Sequence, residues 1–292
     1  MSTKEYENYY VPADSQWPII GAVALFCIAL GSGGYVSNLE TEVTGWGYLL
    51  LTGVAIVIYM VVGWIANVIS ESMDGLYSPQ MDASFRQGMS WFIFSEVMFF
   101  AAFFGALLYA RTLSVPWLAG EGSNVMTGAV LWPDFQATWP LIKTPGGVET
   151  QGMGWFGLPL ANTILLLTSS VTLHFAHTAL DQNQRKKVKI FLGATILLGV
   201  FFLMLQVEEY IHAYQEMNLR LDSGIYGSTF FLLTGFHGMH VTLGTIMLIV
   251  AFVRVQKGHF TPTNQFGFQA TSWYWHFVDV VWVILFLFVY II

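Results

Sequence analysis

WFIFSEVMFFAAFFGALLYAR, residues 91–111, decides how the rest of the chain is read. It is apolar almost throughout, and a helix needs about 20 such residues to cross the hydrocarbon core of a bilayer. Yet it carries one acid, Glu96. At about 1.5 Å of rise per residue, Glu96 lies some 13 Å in from Gln87. Its helical neighbours at three and four residues are Phe92, Ile93, Phe99 and Phe100, which offer no charge partner. Keeping a Glu neutral at pH 7 costs about 3.7 kcal/mol. Inserting an ionised acid at a helix centre costs a similar ~2.5–3.5 kcal/mol. The two states are closely balanced, so a neighbour or a lipid decides between them. Two readings stay open: a hydrogen bond to another helix for assembly, or a proton or lipid role.

The composition extends this reading to the whole chain. Of 292 residues, 55% are apolar and only 10% charged. A soluble domain usually carries about 25% charged residues, so a polytopic membrane protein is expected. The net charge of −7 comes with no basic block beyond one short run, which argues against nucleic acid as a partner. The single cysteine, Cys27, lies in an apolar segment and excludes both an intrachain disulfide and a Cys-based metal motif. Residues 1–16 lack the basic start of a signal peptide, so the first apolar segment is expected to remain as an anchor.

Seven segments are long and apolar enough to span: 17–37, 46–68, 87–110, 158–180, 188–212, 227–254 and 269–292. The fold expected is all-α, seven transmembrane helices in a single membrane domain over residues 1–292. Trp17, Trp46, Trp155 and Trp273 fall at segment edges, where amphipathic rings settle at the headgroups. There is no internal repeat. One connection is long, 112–157, and its Pro and Gly content argues against a further span. A loop of that length usually has a job or a partner.

Orientation follows from Lys and Arg. With the N-terminus cytoplasmic, the inner regions hold Lys4, Arg86, Arg185, Lys186, Lys187, Lys189, Arg254 and Lys257. The outer regions hold Arg111, Lys143 and Arg220. The imbalance places residues 1–16 and the run QNQRKKVK (182–189) inside, and the 112–157 loop and the C-terminus outside.

Ionisable groups within spans are functional candidates by default. Besides Glu96, three sets stand out. His174 and His177, and His237 and His240, are pairs at a spacing of three, each on one helical face. Such pairs could hold a metal or a haem, but no carboxylate or Cys cluster accompanies them, and interhelical hydrogen bonding is the simpler reading. Glu209 and His212 form Glu-x-x-His, the spacing of di-iron bundles, which need two such motifs and two further Glu on facing helices. One motif alone does not make that site, so the chain by itself is expected to bind no metal. His276 and Asp279 share a face, and a His–carboxylate hydrogen bond is the economical expectation; proton handling is the sharper one. Glu96, His174, His177, His276, Asp279 and Arg254 all fall toward the cytoplasmic half. That shared depth favours an inside-facing proton or headgroup role.

Three strings then carry a resemblance: FSEVMFFAAFF (94–104), YGSTFFLLTGFHGMHVTLGT (226–245) and FGFQATSWYWHFVDVVW (266–282). They closely resemble subunit III of haem-copper cytochrome c oxidase, over nearly the whole chain. The resemblance implies a seven-helix bundle whose first two helices (17–68) splay from the other five (87–292) around a lipid cleft. It implies a non-catalytic subunit of a proton-pumping terminal oxidase carrying electrons from cytochrome c to oxygen. Haem and copper would sit in partner subunits I and II, cytochrome c would be an indirect partner, and phospholipid would be bound. Glu96 matches the family's membrane-buried Glu; Arg254 and His259, with Glu71, match its lipid-headgroup contacts. The chain departs at WIANVISES (64–72), where Ala66, Asn67 and Ser70 replace a more charged family pattern, and at Gly105, which stands where a bulky Trp contacts lipid. The 112–157 connection is longer than in mitochondrial members, which suits a bacterial inner-membrane chain with an extra external contact. Quinol-oxidising relatives typically have five helices, and the two full spans before Glu96 favour the cytochrome c branch. An independent transporter is the alternative from another class; the repeated halves expected of many transporters are not evident.

Overall fold

The computed structural model describes residues 10–11, 14–38, 45–262 and 264–292. Lys4, one of the eight inner charges, lies outside them. Seven of the described helices are long and apolar enough to cross a membrane. The chain divides into two compact units, residues 1–85 and 86–292.

The first unit is built on α1 (Trp17–Ser37) and α2 (Gly45–Met73). Pro18 sits in the first turn of α1, where a missing N–H costs nothing. The two helices pack antiparallel at very short range. A Cβ added at Gly53 would stand 2.8 Å from the Ile28 amide nitrogen and 2.9 Å from the Ala24 carbonyl oxygen. In a membrane, where apolar association gains nothing from water, such small-residue contacts are what hold two helices together.

The second unit contains most of α3 (Pro79–Tyr109), the short α4 (Val115–Leu118), α5 (Leu158–Asp181), α6 (Arg185–Gln215), α7 (Ile225–Gln256) and α8 (Phe266–Leu285). Thr172 on α5 and Thr195 on α6 are hydrogen-bonded at 2.8 Å and fix the register of that antiparallel pair. Tyr210 and Thr234 do the same for α6 and α7, also at 2.8 Å. Helix α8 is the centre of the packing. Its Trp275 and Trp282 are fully buried, and their indole N–H groups donate to Ser169 and Thr163 on α5 at 2.9 and 3.0 Å. A Cβ at Gly199 would strike the Trp275 ring at 2.6 Å, so α6 needs glycine there.

The largest departures from the expected boundaries are at the two ends of α3. Helix α3 begins at Pro79 rather than 87. At its other end it passes through a π-helical turn, Ala110–Ser114, directly into α4. The helical stretch Pro79–Leu118 is 40 residues long and takes up the start of the expected loop. Pro116 explains the misreading. It suggests a loop, but it occupies the first turn of α4, the one place where a helix accepts proline freely. The remaining connection carries a second π-helical turn, Thr127–Leu131, and a bridge between Lys143 and Glu149 closed by a 3.1 Å ion pair.

In the second unit, one end of the bundle carries the turn 182–184 and the start of α6 with Arg185, Lys186, Lys187 and Lys189; it is called the basic end below. The other carries the long connection and is called the loop end.

Candidate functional site

Glu96 has a partner, and it comes from 144 residues away. His240 Nε2 on α7 lies 2.9 Å from Glu96 Oε2. The other ring nitrogen, Nδ1, is 2.7 Å from the carbonyl oxygen of Phe236, one turn back on the same helix. A carbonyl oxygen only accepts, so Nδ1 must carry a hydrogen. The contact between Nε2 and Oε2 then contains one further proton. Either His240 is imidazolium and donates to a carboxylate, or neutral His240 accepts from a protonated Glu96. In both cases the pair is neutral overall and holds a proton. The neighbour that the sequence left open is therefore His240, and with it Glu96 is not a lone charge in oil.

The pair sits in an aromatic surround. The rings of Phe100, Phe99 and Tyr274 lie 5.0, 6.0 and 6.4 Å from the His240 ring. The His240 side chain is 6% exposed and that of Glu96 22%, so the acid alone keeps an edge toward the membrane. His237, one turn earlier, is fully buried, and its Nε2–H donates to the Val278 carbonyl of α8 at 3.1 Å. The two histidines therefore share a face and serve different helices. His240 uses both ring nitrogens in hydrogen bonds, whereas His237 uses only Nε2. Among the described residues no group of three or more His, Cys, Asp or Glu converges to hold a metal.

Toward the basic end lies a second polar group. His276 Nδ1 is 2.7 Å from Ser170 Oγ on α5 and 3.7 Å from Asp279 Oδ2. The expected His–Asp contact is present at ion-pairing distance, and Ser170 is the closer partner of the same nitrogen. Asp279 itself is buried. The His177 ring lies 5.7 Å from that of Phe268, tilted by 52°. His174 departs from expectation. It is exposed, on the outward face shared with Leu167, Val171, Phe175 and Thr178, because α5 turns its 166–173–176–180 stripe to the core. It is not a buried polar group. At the mouth, Gln265 donates to Asp181 at 2.6 Å, and Arg86 donates to Gln269.

Arg254 ends α7 at this same end. Its guanidinium carbon lies 4.4 Å above the Phe260 ring, and its Nε has no protein acceptor. His259 follows in the connecting turn, where burial and the charges of Arg254 and Lys257 hold its pKa below the ordinary imidazole value. In the first unit, Glu71 accepts from the Tyr77 hydroxyl at 2.8 Å. Burial and that carboxylate push the Tyr77 hydroxyl well above its usual pKa. Glu71 also lines a cavity of about 450 Å³ with Tyr10, Asp14, Trp17, Trp64 and Asn67.

The Glu-x-x-His motif comes apart. Glu209 is fully buried and accepts from the Tyr290 hydroxyl at 2.7 Å, whereas His212 faces outward and pairs with Glu216 at 3.0 Å. The sequence reading missed two further buried polar side chains, Gln206, one turn before Glu209, and Asn162 on α5. The signal was present: an Asn and a Gln standing inside apolar spans. Tyr290 reaches Glu209 because the terminal turn Phe286–Ile291 is π-helical. A five-residue step thereby places Tyr290 beneath Leu285.

The profile of cytochrome c oxidase subunit III matches residues 7–292. The chain belongs to the cytochrome c oxidase subunit III family. It is similar to cytochrome c oxidase subunit 3 of Hippopotamus amphibius, 36% identical over 99% of this chain and 98% of that one. It is similar to the probable cytochrome c oxidase subunit 3 of Rickettsia prowazekii, 36% identical over 97% of this chain and 95% of the relative. The subunit of Loxodonta africana is 37% identical over 99% and 98%. A subunit III family member with matches in both animals and a bacterium carries its Glu96–His240 pair within the matched region.

Proposed function

We propose that this chain is the non-catalytic subunit III of a proton-pumping terminal oxidase that passes electrons from cytochrome c to oxygen. The observation that carries the reading is the subunit III match over residues 7–292, in a chain whose partly buried Glu96 and buried His240 hold one proton between two helices. Oxygen reduction belongs to subunits I and II, which supply the haem and copper. Among the described residues no three His, Cys, Asp or Glu side chains converge, and both ring nitrogens of His240 are taken by Phe236 and Glu96. What this chain contributes is a neutral proton-holding pair near the basic end, a rigid α5–α8 packing unit to support subunit I, and headgroup contacts. Arg254 and His259 take an anionic phospholipid headgroup, since a guanidinium pairs bidentately with phosphate; Glu71 lines a second headgroup position. The chain sits in a bacterial inner membrane with the N-terminus and basic end cytoplasmic, and with the loop end and C-terminus periplasmic.

Glu96→Gln tests the assignment in the intact, haem-replete complex. Gln cannot hold the shared proton but keeps the size and a hydrogen bond to His240. Oxygen consumption should persist, while proton uptake is impaired or activity decays faster during turnover. Complete loss of oxygen reduction in an assembled complex would place chemistry in this chain and reject the reading. A complex of normal proton uptake and normal turnover lifetime would leave the pair with assembly alone.

A further inference from the structure

Asn162, Glu209 and His237 stand on three helices and fall in one layer of the second unit. Thr172 meets Thr195 across the antiparallel α5–α6 pair, which sets Asn162 level with residues 205–206 of α6. Tyr210 meets Thr234 across α6 and α7, which sets His237 level with Val207. Helix α8 enters the same layer through Trp282. Its indole donates to Thr163, the neighbour of Asn162, and its ring lies 5.0 Å from that of His237. Tyr290 closes the layer by donating to Glu209 Oε1 at 2.7 Å, and Gln206 approaches the same hydroxyl.

These polar side chains carry more hydrogen-bonding capacity than the protein uses. Asn162, Glu209 and His237 are all fully buried. Among the described residues none hydrogen-bonds either amide atom of Asn162, Oε2 of Glu209 or Nδ1 of His237. His237 spends its other nitrogen on Val278. Asn162 alone offers two N–H donors and an acceptor oxygen. Polar groups enclosed by apolar side chains are costly without partners, and folded proteins satisfy such groups with ordered water. The enclosure is aromatic: Phe202 lies 4.8 Å and Tyr290 6.0 Å from the Trp282 ring. Full burial shuts out a lipid. A metal is no better suited, since among the described residues no three His, Cys, Asp or Glu converge.

We propose that this layer is an internal hydration site, in which ordered water bridges the Asn162 amide, Glu209 Oε2 and His237 Nδ1 and so joins α5, α6 and α7 beside the Trp282 ring. A buried water needs about two to four polar partners, and the three helices supply them. The site is separate from the Glu96–His240 pair, because His240 uses both of its ring nitrogens elsewhere. It rests on the packing of the second unit alone, so it can fail while the oxidase assignment stands.

Radiolytic labelling of the intact oxidase complex in heavy-oxygen water tests this. Brief X-ray exposure turns resident water into hydroxyl radicals, which add heavy oxygen to the nearest side chains, and mass spectrometry locates the label. Trp282 and Tyr290 should be labelled in the native complex despite their burial. Asn162→Leu removes the amide and should lower that labelling several-fold at unchanged haem content, with the labelling of Trp275 unchanged. Glu209→Gln keeps polar atoms in place and should retain most of the label. Absence of label on both Trp282 and Tyr290 in the native complex would overturn the proposal, whether or not Asn162→Leu assembles. Native-level labelling of both rings in an assembled, haem-replete Asn162→Leu complex would overturn it as well.

Discussion

The two units of this chain hold their helices together in different ways. In the second, half of the apolar window of the last span is buried inside the chain; in α2 the share is 6%. The second unit locks α5, α6, α7 and α8 with buried tryptophans and with side-chain hydrogen bonds between neighbouring helices. The first relies on close backbone approach at glycine and leaves Ile58, Tyr59, Val62 and Trp64 exposed. Equal apolarity therefore does not mean equal burial. In a membrane the surrounding hydrocarbon accepts an apolar face as readily as a core does, so hydropathy states that a helix spans and not what it touches.

The largest effect expected from this contrast is at Trp282. Trp282→Ala removes a fully buried indole and its hydrogen bond to Thr163, which should cost about 3–5 kcal/mol. Trp64→Ala, on an exposed face, should cost below about 0.5 kcal/mol. Thermal unfolding of the detergent-solubilised complex measures both, and equal effects would break the contrast. The next effect is at the α1–α2 contact. Gly53→Ile forces a side chain against the Ile28 and Ala24 backbones and should cost about 1–3 kcal/mol. Hydrogen exchange should rise in residues 17–73 and stay unchanged in α5–α8; spread of the loosening into α8 would show that the units are coupled.

The smallest effect concerns pH. The folded-state pKa of His259 lies below its ordinary 6.5, so the folded protein binds fewer protons than the unfolded chain in that window. Stability should be intact above about pH 6.5 and fall as pH drops below it. His259→Gln should flatten that dependence, and so should anionic phospholipid, whose phosphate would offset the charges of Arg254 and Lys257. Acid sensitivity unchanged by both would remove His259 as its source.

Reading the candidate site from sequence worked where one helix contained the answer. His237 and His240 do share a face, and Glu209 does sit inside its span. It was incomplete where a partner was on another helix. His276 does lie 3.7 Å from Asp279, three residues on, but its closest partner is Ser170. His174 was grouped with buried residues because it lies in an apolar span, and the orientation of α5 turns it outward. Pro116 was taken as a loop signal because its role depends on where the preceding helix ends, which a π-helical turn shifted.

The sequence alone determined that the chain crosses the membrane seven times, because the hydrocarbon core sets a length and lipid offers the backbone no hydrogen bonds outside a helix. It also determined that Glu96 needed an explanation. The explanation was decided by tertiary structure. Neighbours at three and four residues are all that one helix can show, and for Glu96 those are aromatic or aliphatic. Only the packing of α3 against α7 brings His240 within 2.9 Å, and only the Phe236 carbonyl on its other nitrogen fixes a proton in that contact.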